Sequence, residues 1–101
     1  MTSRPRLPVR LRASPQALAA FGEVFGDGVQ EALDAALPPD EQGWRELTLR
    51  FEHELAAAHR LAGFGGEVVV VSPLSVRNRL QTAAQGILAR YRESAPAASL
   101  D

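Results

Sequence analysis

The chain has 101 residues, of which 46% are hydrophobic and 23% are charged, a composition typical of a single globular domain. It has no cysteine, which excludes disulfides, thiolate zinc sites, iron–sulfur clusters and a cysteine nucleophile. No apolar run approaches the roughly 20 residues that cross a bilayer, and no apolar segment follows the basic N-terminus as it would in a secretory signal. We therefore expect a cytoplasmic protein that makes no membrane contact. All eleven basic residues are arginine, which is typical of a GC-rich bacterial genome.

The net charge of −1 argues against a dedicated nucleic-acid-binding protein, but the charge is unevenly distributed. Residues 1–22 carry four arginines and no acid, residues 23–67 carry ten acids and three arginines, and residues 68–101 carry four arginines and two acids. The basic charge therefore lies towards the two ends of the chain.

Three segments have the patterns of β-strands. Residues 6–12 alternate between apolar side chains and arginines, with Pro8 among the outward positions, and this period of two is typical of a half-buried strand. Residues 44–51 alternate in the same way, with leucines and Phe51 inward and Trp44 outward. The run of four valines in 67–71 predicts a short strand buried on both faces or nearly so.

Three other segments are predicted to be helices. Ser14 and Pro15 are a helix start, with serine as N-cap and proline at the first helical position. Gly22, Gly26 and Gly28 are expected to weaken this helix and then end it. A second helix is expected over 54–62. A third is expected to start at Ser72 and Pro73 and to run to about Arg92. Its predicted apolar stripe is Val76, Leu80, Ala83, Ile87 and Tyr91.

Residues 29–37 are ambiguous, because their apolar side chains fit both periods and their composition favours helix. The strand over 44–51 needs a partner, however, and a hairpin with 29–37 would supply the nearest one. We therefore predict that 29–37 is a strand.

The predicted element order is strand, helix, strand, strand, helix, strand, helix. This order indicates an α+β, ferredoxin-like βαββαβ fold with a C-terminal helix and a four-stranded antiparallel sheet of order 4-1-3-2. We expect one domain over residues 6–92, with residues 1–5 loose and residues 93–101 forming a disordered tail.

Several segments of the chain, in this order, resemble the C-terminal extension domain of WYL-domain transcriptional regulators. They are Val9–Pro15, Gly43–Trp44, Glu46–Phe51, Leu61–Gly65, Glu67–Pro73, Val76–Arg77, Leu80 and Tyr91. The resemblance covers about residues 7–92. These regulators place a winged helix-turn-helix first, then a WYL domain, then this module. The chain has neither a helix-turn-helix nor a Trp-Tyr-Leu tripeptide, since Trp44 is followed by Arg45 and Glu46.

The resemblance implies a cytoplasmic, regulatory module that acts in transcription control. Its implied partners are a second copy, as a homodimer, or a WYL and helix-turn-helix protein. A nucleotide or a single-stranded nucleic acid is a further candidate ligand.

The residues indicate no catalytic site, cofactor or metal. His53 and His59 are six residues apart and so do not share a helix face as ligands at i and i+4 would. Ser14 and Ser72 each precede proline, which favours helix capping over nucleophilic catalysis. The glycines at 63, 65 and 66 follow a helix, the reverse of a phosphate-binding loop. We predict a non-enzymatic interaction module. The alternative is a small stand-alone ferredoxin-like enzyme using His53 or His59, or a ligand-binding protein.

The candidate site is the outward face of the sheet, where Arg10, Arg12, Trp44 and Arg50 are predicted to lie on neighbouring strands beside Thr48. Guanidinium groups beside an aromatic ring on an open sheet are suited to an anion, a nucleotide or a single strand. Two other interpretations stay open. The arginines could pair with acids such as Glu46, or the face could be buried against another subunit or domain.

Overall fold

A computed structural model describes residues 7–94, apart from the side chain of Asp27. The predictions for residues 1–6 and for the tail from residue 95 onward lie outside the described residues. The strands are β1 (Leu7–Ala13), β2 (Arg45–Phe51) and β3 (Val68–Ser72), and the helices are α1 (Pro15–Phe25), α2 (Val29–Asp34), α3 (Glu54–Ala62) and α4 (Leu74–Glu93). Two short 3-10 turns, Gly26–Gly28 and Gly65–Glu67, precede α2 and β3.

The described strands form a three-stranded antiparallel sheet of order β2-β1-β3. At its centre, Leu11 of β1 lies opposite Leu47 of β2 and Val70 of β3. The α+β class is as predicted, but the four-stranded ferredoxin-like sheet is wrong. The three strands keep the neighbours predicted for them, and the strand that was expected beyond β2 is missing.

The missing strand is the one predicted over 29–37. Residues Val29–Asp34 form α2 instead, with Val29 buried, so local helix propensity prevails over the demand for a strand partner. The chain after α2 does run beside β2, where the N–H of Leu37 donates to the carbonyl oxygen of Glu46 at 2.9 Å. Pro38 and Pro39 follow at once. Because proline has no N–H to donate, a regular strand ladder cannot continue through them.

The start of α1 is as predicted. The Ser14 hydroxyl oxygen accepts a hydrogen bond from the backbone N–H of Ala17 at 3.1 Å, and Pro15 occupies the first helical position. Gly26 ends the helix with a φ of 76°, a conformation that favours glycine. The start of α1 was therefore predicted from the sequence, and Gly26 is the one of the three predicted glycines that ends the helix.

The core lies between one face of the sheet and the helices. Alternate residues of β1 and β2 are buried and the intervening ones are largely exposed, which confirms the period of two. Phe21 of α1 is fully buried, and its ring meets the rings of Phe25 and Phe64 edge to face at 5.3 and 5.2 Å between centroids. This packing leaves the other face of the sheet uncovered by the described elements.

The predicted start of the last helix is wrong. Ser72 belongs to β3, and Pro73 is the N-cap of α4 without any side-chain hydrogen bond. The apolar stripe of α4 is buried only at its start, because Val76 is buried and Leu80 half-buried, whereas Ile87 and Tyr91 are exposed. The helix continues past the core that it packs against.

Candidate interaction surface on the outer sheet face

The outer face of the sheet carries the predicted site residues, but not as one cluster. Arg10 and Arg12 project from β1 and are exposed, and Trp44 lies directly before β2 and is half-buried. Arg50 lies opposite Pro8, at the far end of β2 from Trp44. Arg50 is six positions along the strand from Trp44, about 20 Å, so Arg50 lies apart from Arg12 and the indole ring.

Arg10 is held in an ion pair across the two strands. Its Nε and Nη2 atoms both lie 3.0 Å from Oε2 of Glu46. Glu46 is on β2 opposite Arg12, two residues before Thr48, the direct partner of Arg10. The side chain of Arg10 is 54% exposed, so this pair is a surface pair of modest energy.

Asp40 organises the rest of the group, although it was not predicted as a site residue. One carboxylate oxygen, Oδ1, accepts hydrogen bonds from the backbone N–H groups of Gln42 and Trp44 at 2.8 and 2.9 Å. The other, Oδ2, accepts one from Nη2 of Arg12 at 2.7 Å. Aspartate in a proline- and glycine-rich loop is typical of such a turn, and this signal could have identified it.

These contacts change the acidity of Asp40. Desolvation raises its pKa, but the N–H groups of Trp44 and Gln42 and the guanidinium of Arg12 stabilise the ionised form and together hold the pKa below its usual value of 3.8. The carboxylate is therefore ionised at neutral pH and stays paired with Arg12.

The same turn places the indole ring. The guanidinium carbon of Arg12 lies 5.6 Å from the centroid of the Trp44 ring, within the range of a cation–π contact. Gly43 has a φ of 86°, and a β-carbon there would lie 2.8 Å from Cγ of Pro15. A residue with a side chain at position 43 would strain the backbone and press on α1, so glycine is needed to bring Trp44 onto the sheet face.

The two histidines lie elsewhere. Nδ1 of His53 accepts a hydrogen bond from the N–H of Ala56 at 3.2 Å, which makes His53 the N-cap of α3. His59 is exposed in the last turn of the same helix. Among residues 7–94, no group of three or more histidine, aspartate or glutamate side chains is placed to hold a metal ion.

The described part of the chain is thus a three-stranded antiparallel sheet with helices on one face, and its open face carries two ion pairs and the Trp44 ring. Residues 5–88 match the family model of the WCX domain, and the chain belongs to this family, the C-terminal extension of WYL-domain regulators. The resemblance noted in the sequence is thereby confirmed. No curated protein and no solved structure matches the chain. No helix in the described part of the chain has the length and hydropathy of a membrane span.

Proposed function

We propose that the chain is a non-enzymatic module of a WYL-type transcriptional regulator in the cytoplasm, and that its outer sheet face contacts another protein domain. One observation carries the proposal: Trp44 lies on the open face with Arg12 over its ring, and both are oriented by Asp40. Tryptophan and arginine are the residues most enriched at the energetic centres of protein interfaces. Family membership supports the regulatory context.

The ion pairs favour a protein partner over a phosphate-bearing ligand. Arg10 and Arg12 are both occupied by carboxylates of this chain. A phosphate would have to displace Glu46 or Asp40, or approach while these charges repel it. A protein surface can instead pack on the indole ring and leave both pairs in place.

The ring itself provides the assay, because Trp44 is the only tryptophan of the chain. Purified WYL-domain regulators from the same genome are titrated into the protein while the indole emission is recorded, and a mixed-sequence single-stranded oligonucleotide is titrated in parallel. We expect a saturable change in the emission with a WYL-domain protein. We expect no saturable change with the oligonucleotide at physiological salt.

Matched arginine variants locate the contact. Arg10→Ala removes an arginine that is 54% exposed and singly paired, and Arg79→Ala removes one that is 50% exposed and paired with Glu54 away from the sheet face. Arg10→Ala should weaken the association, and Arg79→Ala should leave it unchanged. Equal effects of both variants, or no binding of any WYL-domain protein, would contradict the proposal. Oligonucleotide binding that weakens steeply with salt would identify a nucleic-acid ligand instead.

A further inference from the structure

One arginine of the outer sheet face differs from the other two in its surroundings. Arg10 and Arg12 each pair with a carboxylate of this chain. Arg50 is exposed on β2 and takes part in none of the ion pairs formed among residues 7–94. One end of this face therefore carries a positive charge that no carboxylate of the described chain holds.

The strand geometry explains this difference. Pro8 lies directly opposite Arg50 on β1, and its ring has neither a charge nor a polar group to offer. Glu46 is four residues back along β2, about 13 Å, and is held by Arg10 at 3.0 Å. Asp40 lies in the loop before β2 and is held by an arginine there at 2.7 Å. Both carboxylates are thus engaged at the opposite end of the face.

Thr48 adds a hydroxyl donor beside Arg50. The two side chains are exposed on the same face of β2, two residues apart, about 7 Å along the strand. Arg10 is the cross-strand partner of Thr48, but its guanidinium is directed to Glu46 instead. Glu52 lies past the end of β2 and takes part in none of the ion pairs of the described region. A hydroxyl and a guanidinium at this spacing can donate together to one carboxylate, because a long side chain on a strand leans along it.

We propose that the partner domain presents an aspartate or glutamate side chain to Arg50, with Thr48 as a second donor, about 20 Å from its contact with Trp44. This pairing rests on the proposed function, since it names the chemistry of the surface that covers the outer sheet face. The planar guanidinium matches a carboxylate with two parallel hydrogen bonds. The partner surface is therefore apolar where it meets the indole ring and acidic where it meets Arg50.

Both contacts fit within a single interface. A standard interface covers about 800 Å² on each partner, which corresponds to a patch roughly 30 Å across. With the ring of Trp44 near its centre, Arg50 lies towards the rim. A charge at the rim acts mainly on the association rate and on the salt dependence of binding, so these are the quantities that the pair should control.

Titration of the full chain with purified WYL-domain regulators from the same genome, followed by the indole emission, tests the proposal. Arg50 is about 20 Å from the ring, so its substitution does not alter the surroundings of the fluorophore. Arg50→Ala should raise the dissociation constant two- to fivefold, the range of an exposed charge pair. Arg50→Glu should raise it at least tenfold, because two like charges then meet. Binding of the wild type should weaken with salt, and Arg50→Ala should reduce that dependence.

Arg92 provides the matched control. It is also exposed and takes part in none of the ion pairs of the described region, but it lies near the C-terminal end of α4 rather than on the sheet. Arg92→Ala and Arg92→Glu make the same changes in net charge as the two Arg50 variants. They should leave the dissociation constant and its salt dependence unchanged. Far-ultraviolet circular dichroism should show the same folded signal for all four variants.

Charge reversal on the partner identifies the carboxylate. Each exposed aspartate and glutamate of a WYL-domain protein that binds is replaced in turn by lysine. One of these variants should weaken binding to the wild-type chain and restore much of the binding that Arg50→Glu loses.

The outcomes separate this pairing from the proposed function. If Arg10→Ala weakens the association and neither Arg50 variant does, the outer sheet face is the contact surface and the acidic group opposite Arg50 is refuted alone. Equal effects of Arg50→Glu and Arg92→Glu would show a general effect of net charge and would likewise overturn the pairing. If no WYL-domain protein changes the indole emission, the proposed function fails and the pairing fails with it.

Discussion

The stability of a Trp44→Ala variant shows whether this ring belongs to an interaction surface or to the core. Trp44 is half-buried and rests against Arg12 at 5.6 Å from the ring centroid. A cation–π contact at an exposed site contributes about 0.5–1 kcal/mol, and the partial burial of the ring adds a similar amount. We therefore expect Trp44→Ala to lower the free energy of unfolding by about 1–2 kcal/mol, a minor part of the roughly 5–15 kcal/mol of a typical domain.

Phe21→Ala is the contrasting variant. Its side chain is fully buried and makes edge-to-face contacts with two other phenylalanines. Truncation of such a residue costs about 3–5 kcal/mol, and each aromatic pair that is lost accounts for roughly 0.5–1.5 kcal/mol beyond its buried area. The loss of stability for Phe21→Ala should therefore be at least twice that for Trp44→Ala.

Urea unfolding measures the loss of unfolding free energy for both variants. It is followed by far-ultraviolet circular dichroism, because that signal does not depend on the tryptophan that one variant removes. With a urea dependence of about 1–3 kcal/mol per molar, Trp44→Ala should shift the midpoint by about 1 M or less, with an unchanged slope. A loss as large as that for Phe21→Ala would refute the reasoning. It would mean that Trp44 is a core residue and that the outer face is not an available surface.

Three further predictions concern the loops and caps that hold this surface. Gly43→Ala should lower the unfolding free energy by about 1–3 kcal/mol in urea unfolding, because its φ is 86° and the new β-carbon would lie 2.8 Å from Pro15; an unchanged midpoint would show that the turn can adopt another conformation. Ser14→Ala should cost about 1 kcal/mol in the same measurement through loss of the α1 cap, whereas Ser14→Asp, which restores a cap acceptor, should recover most of it. The pKa of Asp40 is lowered in the folded state, so its stabilising contribution is present above pH 3.8 and is lost as the pH falls through the lower folded-state value. The free energy of unfolding of the wild type should therefore fall more than that of Asp40→Asn over that acidic range. Parallel pH profiles of the two proteins would contradict the role of Asp40.

Patterns among residues close in the sequence predicted β1, β2 and the start of α1 correctly. The alternation in 6–12 and 44–51 placed β1 and β2 with the correct faces inward, because a strand buried on one side must repeat every two residues. Ser14 and Pro15 placed the start of α1, and the three glycines after Phe21 indicated that it ends soon afterwards, because caps satisfy backbone groups that the helix itself leaves unpaired. The positions of Arg10 and Arg12 on the outer face followed from the same alternation.

The segment over 29–37 shows where this reasoning fails. Both periods fitted its apolar residues, and the strand prediction relied on the need of β2 for a neighbour rather than on the segment itself. In the structure, a loop with backbone and Arg45 hydrogen bonds meets that need, so α2 can follow its helix propensity. A sheet edge can be satisfied without a strand, and the pattern of one segment cannot reveal this.

The sequence by itself determined which residues of β1 and β2 face outward, how α1 begins, and the family to which the chain belongs. Only the tertiary structure decided what those outward residues contact: Asp40 reaches Arg12 across 28 positions of chain, and α4 extends past the core with Ile87 and Tyr91 exposed. The physical reason is the separation along the sequence of the residues that interact. Alternation follows from the local geometry of a strand, and capping from hydrogen bonds between residues a few positions apart. Ion pairing and burial depend instead on which distant segments meet when the sheet and helices pack.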